Sequence, residues 1–344
     1  MSRRDILLIL ILALTVKTFW AYKGSREYDG AYTPQSDSWQ YMIASENIRY
    51  FHVLSFDYDH QPSYFRPPGY PFLIAILRSS IPLLFAFQVI LGSLTVVATY
   101  LLSLRFGKGV ALISGIGMAL GPLGGSLTGQ VMTETLYTFL VVVAVLLWDR
   151  SRLISSGLAF GLSWLVRPNT LAILALGLVL AVFVYRTHRR QLALITLIAL
   201  ITISPWIVRN AVIFHKLVPV AAGGGQNLLY GTFDIKYGKQ QLWEQAFAQP
   251  GAMPAYGWAD PRSQDVYLHT AIERIKSDPF NWLIVRVKQY PRVLIDTGAY
   301  AFPSSELAVI MKWTFVFGNL LFWIFSALGF YQPQCWLSSR AWAY

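Results

Sequence analysis

Cysteine is almost absent from this chain. Cys335 is its one thiol, so neither a disulfide framework nor a cysteine-built metal site fits within a single chain. Histidine is sparse as well. His52, His60, His188, His215 and His269 show neither H-x-x-x-H nor H-E-x-x-H spacing, which argues against metal catalysis through histidine. No cofactor is expected, and only a divalent metal on carboxylates stays open. Charge is scarce: 13% of the 344 residues are charged and 55% are hydrophobic, where soluble chains carry about 25% charge. Several windows of about 18 or more nearly uncharged residues place the chain among polytopic membrane proteins. A net charge of +11 raises the thought of nucleic acid. The basic residues, however, sit in short clusters between apolar spans, the pattern of topology signals and of contacts to anionic lipid. Nucleic acid is therefore not expected as a partner; membrane lipid is. A leader cleavage site is also missing. Arg3 and Arg4 precede the run Ile6–Val16, but Lys17, Phe19, Trp20 and Tyr22 are the wrong residues for a small-x-small site. An uncleaved first transmembrane helix is the better reading.

Taken in order, the hydropathy pattern predicts an all-α membrane protein of about eight spans with both termini cytoplasmic. Ile6–Tyr22 is span one, followed by a first exterior loop over about 23–82. Within that loop Trp39–Phe51 has the pattern of an interfacial helix, and Pro67, Pro68 and Pro71 forbid a continuous helix across Arg66–Pro71. Leu83–Leu104 is span two and Val110–Leu127, rich in glycine, span three. Thr135–Trp148, Leu153–Val166, Thr170–Tyr185 and Leu192–Val208 follow, with Arg186, His188, Arg189 and Arg190 as the strongest inside marker. A second exterior segment spans about 210–306, with helical periodicity from Gln264 to Ile295 broken near Asp278–Pro279. Leu307–Phe330 is the last span, and 331–344 a short cytoplasmic tail. Residues 1–330 thus form a single transmembrane domain.

This topology puts Asp37, Arg66, Glu134, Arg167 and Arg209 on one exterior face. Outside arginines run against the usual orientation bias. Each read alone is a snorkelling anchor; several converging together make a site for a phosphate or diphosphate. Asp37 admits two readings, a solvated loop residue or a general base shielded by Trp39 and Tyr41. Asp57 and Asp59 hold a cation, orient an acceptor or keep the loop wet. Glu134 beside Thr133 is either a helix cap or a site residue. The segment Val220–Gly231, VAAGGGQNLLYG, is read as a flexible glycine-rich loop: it lets backbone N–H groups approach a phosphate or sugar, or it is a hinge. No G-K-[ST] follows, so it is not a nucleotide P-loop.

An ordered set of motifs accompanies these residues: Asp37-x-x-x-Tyr41, R-P-P-G-Y-P at Arg66–Pro71, M-T-E-T-L-Y at Met132–Tyr137, L-V-R-P at Leu165–Pro168 and S-P-W-I-V-R-N at Ser204–Asn210, leading into G-G-G-Q-N-L-L-Y-G. Spread over about residues 5–300, the set resembles the GT-C fold membrane glycosyltransferases of the protein O-mannosyltransferase and aminoarabinose-transferase type. The resemblance implies an inverting transferase in the plasma (inner) membrane. It would move a sugar from a polyprenyl-phosphate-linked donor to a protein, lipid or glycan acceptor outside. It implies Asp37 as the catalytic carboxylate, with Arg66, Tyr41, Glu134, Arg167, Arg209 and Asn227 as residues that bind donor phosphate or substrate. The departure from the family lies at the C-terminus. Members continue with further spans, whereas this sequence reads FYQPQCWLSSRAWAY after the last one. Two other readings stand beside it: a transporter or flippase of lipid-linked saccharides, and an inactive membrane scaffold.

Overall fold

Apolar runs flanked by basic residues become the long helices of this protein. The computed structural model describes residues 3–27, 37–169, 171, 189–221, 223–233 and 261–295. Expected span eight, the tail and nearly all of span six lie outside the described residues. Among the described residues every regular element is helical. Three helices are long and apolar enough to cross a membrane: α1, Arg3–Glu27; the helix Ile81–Ser103; and the helix Arg189–Phe214. The last of these carries Pro205, which has no N–H for the Ile201 carbonyl four residues back. The Ser204 hydroxyl donates to that carbonyl instead at 2.8 Å, and the helix runs on. It therefore passes through Arg209 and Asn210, which were expected beyond its end.

Between the first two long helices lie α2, Asp37–Phe51, and α3, Gly69–Ile76. The expectation of a surface helix over Trp39–Phe51 needs correction. Tyr41, Met42, Ile43, Ala44 and Ser45 are all buried, so α2 hides more than one stripe. It packs on α3 and shares a core with Tyr70, Ile74, Leu84 and Phe85. The prolines end the extended stretch sooner than expected as well. α3 begins at Gly69, and Pro71 is tolerated in its first turn, where an N–H has no partner within the helix.

Ile81–Ser103 is α4, with Pro82 in its first turn. Expected span three is not one helix. α5, Lys108–Leu120, stops at Gly121, whose φ of −53° and ψ of 112° are those of an extended residue. Gly121 precedes Pro122, and the proline ring disfavours helical geometry in the residue before it. A short α6, Pro122–Ser126, and a 3-10 turn, Leu127–Gly129, then lead into α7, Glu134–Asp149. α8, Leu153–Val166, ends the way α5 does: Arg167 precedes Pro168 and is extended at φ −151°, ψ 122°. At 13, 16 and 14 residues, α5, α7 and α8 fall short of the roughly 20 that the hydrocarbon core calls for. Arg189–Phe214 is α9.

α1 packs against α4 and α5, α4 against α7, α7 against α8, and α8 against α9. The α8–α9 contact is made by Gly157 and Gly161, spaced one turn apart. A Cβ on Gly161 would lie 2.5 Å from Thr202 Cβ and 2.9 Å from the Ala199 carbonyl oxygen, so only glycine permits this approach of helix backbones.

One buried side chain joins three of these elements. Gln88 of α4 is fully buried. It accepts from the Tyr70 hydroxyl at 2.9 Å and donates its two amide protons to the Thr128 and Gln130 carbonyls, each at 2.9 Å. Gln88→Leu takes the donor from the Thr128 and Gln130 carbonyls and an acceptor from the Tyr70 hydroxyl, each loss costing about 1–3 kcal/mol where the group is buried. The variant is expected to lose about 3 kcal/mol or more, read as a markedly lower melting temperature in detergent; an unchanged melt would show that the node contributes nothing.

Beyond α9 lie α10, Gly224–Tyr230, then α11, Pro261–Ser277, and α12, Pro279–Ile295. The glycine run expected as a flexible loop is the start of a helix. The expected break near Asp278–Pro279 is present: the Asp278 carboxylate accepts from the Asn281 N–H at 3.0 Å, capping α12 with proline in its first position.

Candidate functional site

Residue spacing on α2 determines what faces Arg66. Asp37, Gln40 and Tyr41 fall at i, i+3 and i+4, so they line one side of its first turn. Arg66 arrives from the extended stretch before Pro67 and meets all three. Its terminal nitrogens donate to Asp37 Oδ1 at 2.6 Å and Oδ2 at 3.2 Å, a two-pronged pair. Its Nε donates to Gln40 Oε1 at 2.5 Å, and Nη1 reaches the Tyr41 hydroxyl at 3.4 Å. The guanidinium also lies 5.2 Å from the Tyr41 ring centre and 5.3 Å from that of Phe65. The Arg66 side chain is 20% exposed, while that of Asp37 is 46% exposed. The acid thus forms the open edge of the site and the arginine its floor.

Burial alone pulls the Arg66 guanidinium down, but Tyr41 and Asp37 beside it outweigh that and leave it above the ordinary arginine value. Burial pushes the Tyr41 phenol up, with Arg66 pulling back, so the phenol is neutral at physiological pH. Because Arg66 donates to its oxygen, the phenolic O–H itself is left as a donor.

A second ion pair stands close by. Arg167, extended at the end of α8, donates to Glu134 Oε1 at 2.7 Å, and Glu134 Oε2 accepts from the Thr133 hydroxyl at 3.3 Å. Glu134 opens α7, where its charge meets the helix N-terminus, and it pairs with Arg167. Tyr41 and Val166, the residue before Arg167, share one buried cluster, and a Cβ on Gly69 would meet the Leu165 carbonyl oxygen at 2.8 Å, so the two pairs stand on adjoining stretches. Asp37, Tyr41, Arg66, Glu134 and Arg167 are therefore brought together from four separate stretches.

Arg209 is not part of this cluster. It donates to the Ser63 carbonyl at 3.0 Å and to Asn210 Oδ1 at 2.9 Å, and lies over the rings of Trp206 and Phe214. Its position is that of a strut beneath the first loop. Asn227 is exposed on α10. The glycine run itself does reach the site's edge: Gly223 N–H donates to the Phe65 carbonyl at 3.2 Å, where a Cβ would approach that oxygen to 3.1 Å. Asp57 and Asp59 organise their own loop. Asp57 accepts from the Tyr58 N–H and Asp59 from the Gln61 N–H, while Trp39, expected to shield Asp37, packs edge-on against Tyr58. Among the described residues no three His, Cys, Asp or Glu side chains gather as a metal site would need.

Two residues of the neighbourhood escape sequence reading. Gln40 is uncharged and unremarkable in a polar loop, and only its i+3 relation to Asp37 marks it. Lys17 interrupts an otherwise apolar first span; that lone charge was the signal for it. Compared with known proteins, the chain matches no family model, no curated protein and no solved structure.

Proposed function

We propose that the chain is a polytopic membrane glycosyltransferase of GT-C type, transferring a hexose or pentose from a polyprenyl-phosphate-linked donor to an acceptor on the extracytoplasmic face. One observation carries this reading. A carboxylate and an arginine hold each other in a two-pronged pair at the edge of an apolar bundle, with a second arginine–carboxylate pair beside them. Each guanidinium is balanced at rest by an acid. An incoming phosphate competes with Asp37 for Arg66, and by drawing the arginine onto itself it frees the carboxylate. Asp37 then takes the proton of the acceptor hydroxyl. The acceptor oxygen bonds the anomeric carbon as the carbon–oxygen bond to phosphate breaks, and the electron pair leaves on the phosphate, whose charge Arg66 and Arg167 stabilise. Attack opposite the leaving group inverts the anomeric centre. In this reading the expected eight spans and the interfacial placement of α11 and α12 are retained. On α12 an exposed stripe of Phe280, Leu283, Ile284 and Val287 supports the latter.

A transporter of lipid-linked saccharide is the second reading, favoured by the buried charge of Lys17 within a span. Purified protein in liposomes with a radiolabelled polyprenyl-phosphate hexose, assayed for transfer and hydrolysis alongside a fluorescent lipid-flip assay, separates the two. Release or transfer of label is the expected result. Flip without any cleavage of donor, across a panel of sugars, would replace the enzyme by the transporter.

A further inference from the structure

Lys17 lies inside α1, within the first of the three candidate spans, and is 1% exposed. A lysine in a span ordinarily runs its head to the interface. This one does not. Its stem crosses Gly92 of α4, where a Cβ would stand 3.5 Å from Cγ and Cδ, and its Nζ reaches Gly124 of α6, 3.5 Å from where a Cβ would be. The ammonium is thus at the seam of α1, α4 and α6, in space that glycines leave clear.

Among the described residues nothing neutralises it. No hydrogen bond or ion pair of its Nζ is seen there, and four acids are held by other cations: Asp5 by Lys108, Asp37 by Arg66, Glu134 by Arg167 and Asp149 by Arg105. A buried, unpaired ammonium is among the costliest arrangements a protein holds. Ser93, next to Gly92 on α4, is also 1% exposed, with its hydroxyl unpartnered. The seam is joined to the site above by polar groups. One turn before Gly92 on the same face of α4 is Gln88, which holds the Tyr70 hydroxyl; the Tyr70 ring meets Tyr41 edge-on at 5.1 Å, and Tyr41 touches Arg66.

We propose that Lys17 is a second anion-binding residue, taking the phosphate of a membrane lipid that enters the seam of α1, α4 and α6. The chemistry is that of a phosphate mono- or diester against an ammonium in a dry setting, where charge pairing is strong. Its place inside a span selects a phosphate carried on a lipid chain over one free in water. The inference rests on the reading of a lipid-borne phosphate substrate for the Arg66 site and adds a residue from within the bundle to it.

The test uses the full chain in nanodiscs, with a long-chain prenyl monophosphate as the lipid probe and inorganic phosphate as the water-soluble arm. Retained lipid is counted by native mass spectrometry for wild type, Lys17→Gln and Lys17→Met. Wild type is expected to retain the prenyl phosphate, both variants to bind it at least tenfold more weakly, and millimolar inorganic phosphate not to displace it. Variant affinity within threefold of wild type overturns the proposal and makes Lys17 a neutral packing residue. Displacement by inorganic phosphate overturns the membrane source. If neither variant inserts, a photoactivatable prenyl phosphate on wild-type protein decides: cross-links on the peptide containing Lys17 support the site, and cross-links only elsewhere sink it. Lipid binding at Lys17 without transfer from any donor would instead defeat the enzyme reading and leave this inference standing.

Discussion

Asp37→Asn is expected to lower sugar transfer by about 10²–10⁴-fold, the usual weight of a positioned general base, while the protein inserts and purifies normally. An amide accepts no proton, so the acceptor hydroxyl loses its base. It also turns N–H groups toward Arg66 and so gives up part of the two-pronged pair. Because the Asp37 side chain is 46% exposed, that pair contributes little to stability, about 1 kcal/mol at most, and folding survives. The kinetic signature is specific. Arg66, no longer held by a carboxylate, meets the donor phosphate without competition, so KM for donor stays level or falls while kcat collapses. A raised KM with kcat intact would instead make Asp37 a positioning residue for Arg66. Unchanged turnover would remove it from the mechanism altogether.

The largest structural effect is expected at the crossing of α1 and the 3-10 turn Leu127–Gly129. A Cβ on Gly24 would sit 1.9 Å from the Gly129 carbonyl oxygen, and one on Gly129 would sit 2.2 Å from that of Trp20. Both obstacles are main chain, which no rotamer change removes. Even Gly129→Ala must pry α1 from the turn, and it is expected to cost about 3 kcal/mol or more, above the range of about 1–3 kcal/mol for ordinary overpacking. Gly129→Leu is expected to yield no folded protein. Gly117→Ala is the control, because a Cβ there meets nothing within 4 Å; inside α5 it is expected to be neutral or stabilising by up to about 1 kcal/mol. Size-exclusion profiles and melting curves in one detergent read all three. Equal melts for Gly129→Ala and Gly117→Ala would contradict the crossing as described.

Local chemistry made much of this legible and long-range geometry hid the rest. Long apolar runs bounded by arginine mark α1, α4 and α9, and Asp278–Pro279 announces the start of α12. Where a proline acts on the residue before it, as at Gly121 and Arg167, a helix ends; the hydropathy of Val110–Leu127 concealed that break because the residues stay apolar through it. At Pro205 the opposite happened. Ser204 supplies the missing donor, so Arg209, expected as an outer cation for phosphate, lies inside a helix and props Ser63. The residues expected on one face are Asp37, Arg66, Glu134, Arg167 and Arg209; the first four gather with Tyr41, and Arg209 does not. That Arg66 and Arg167 are each already paired with an acid is not legible, since no local pattern reports a contact between residues 29 or 33 positions apart. The glycines before Gln226 were read for flexibility. Gly223 instead packs closely against the Phe65 carbonyl, where a Cβ would stand at 3.1 Å.

The bond from Arg209 to the Ser63 carbonyl joins residues 146 positions apart, and this separation has a consequence for biosynthesis. At about 5–20 residues per second, the ribosome delivers Arg209 roughly 7–30 s after Ser63. Throughout that interval the segment bearing Arg66 has neither its strut nor the Gly223 contact on Phe65. The support beneath the cluster is therefore set late in synthesis, and a chain arrested before α9 emerges presents that segment unfastened to whatever proteases survey the nascent protein.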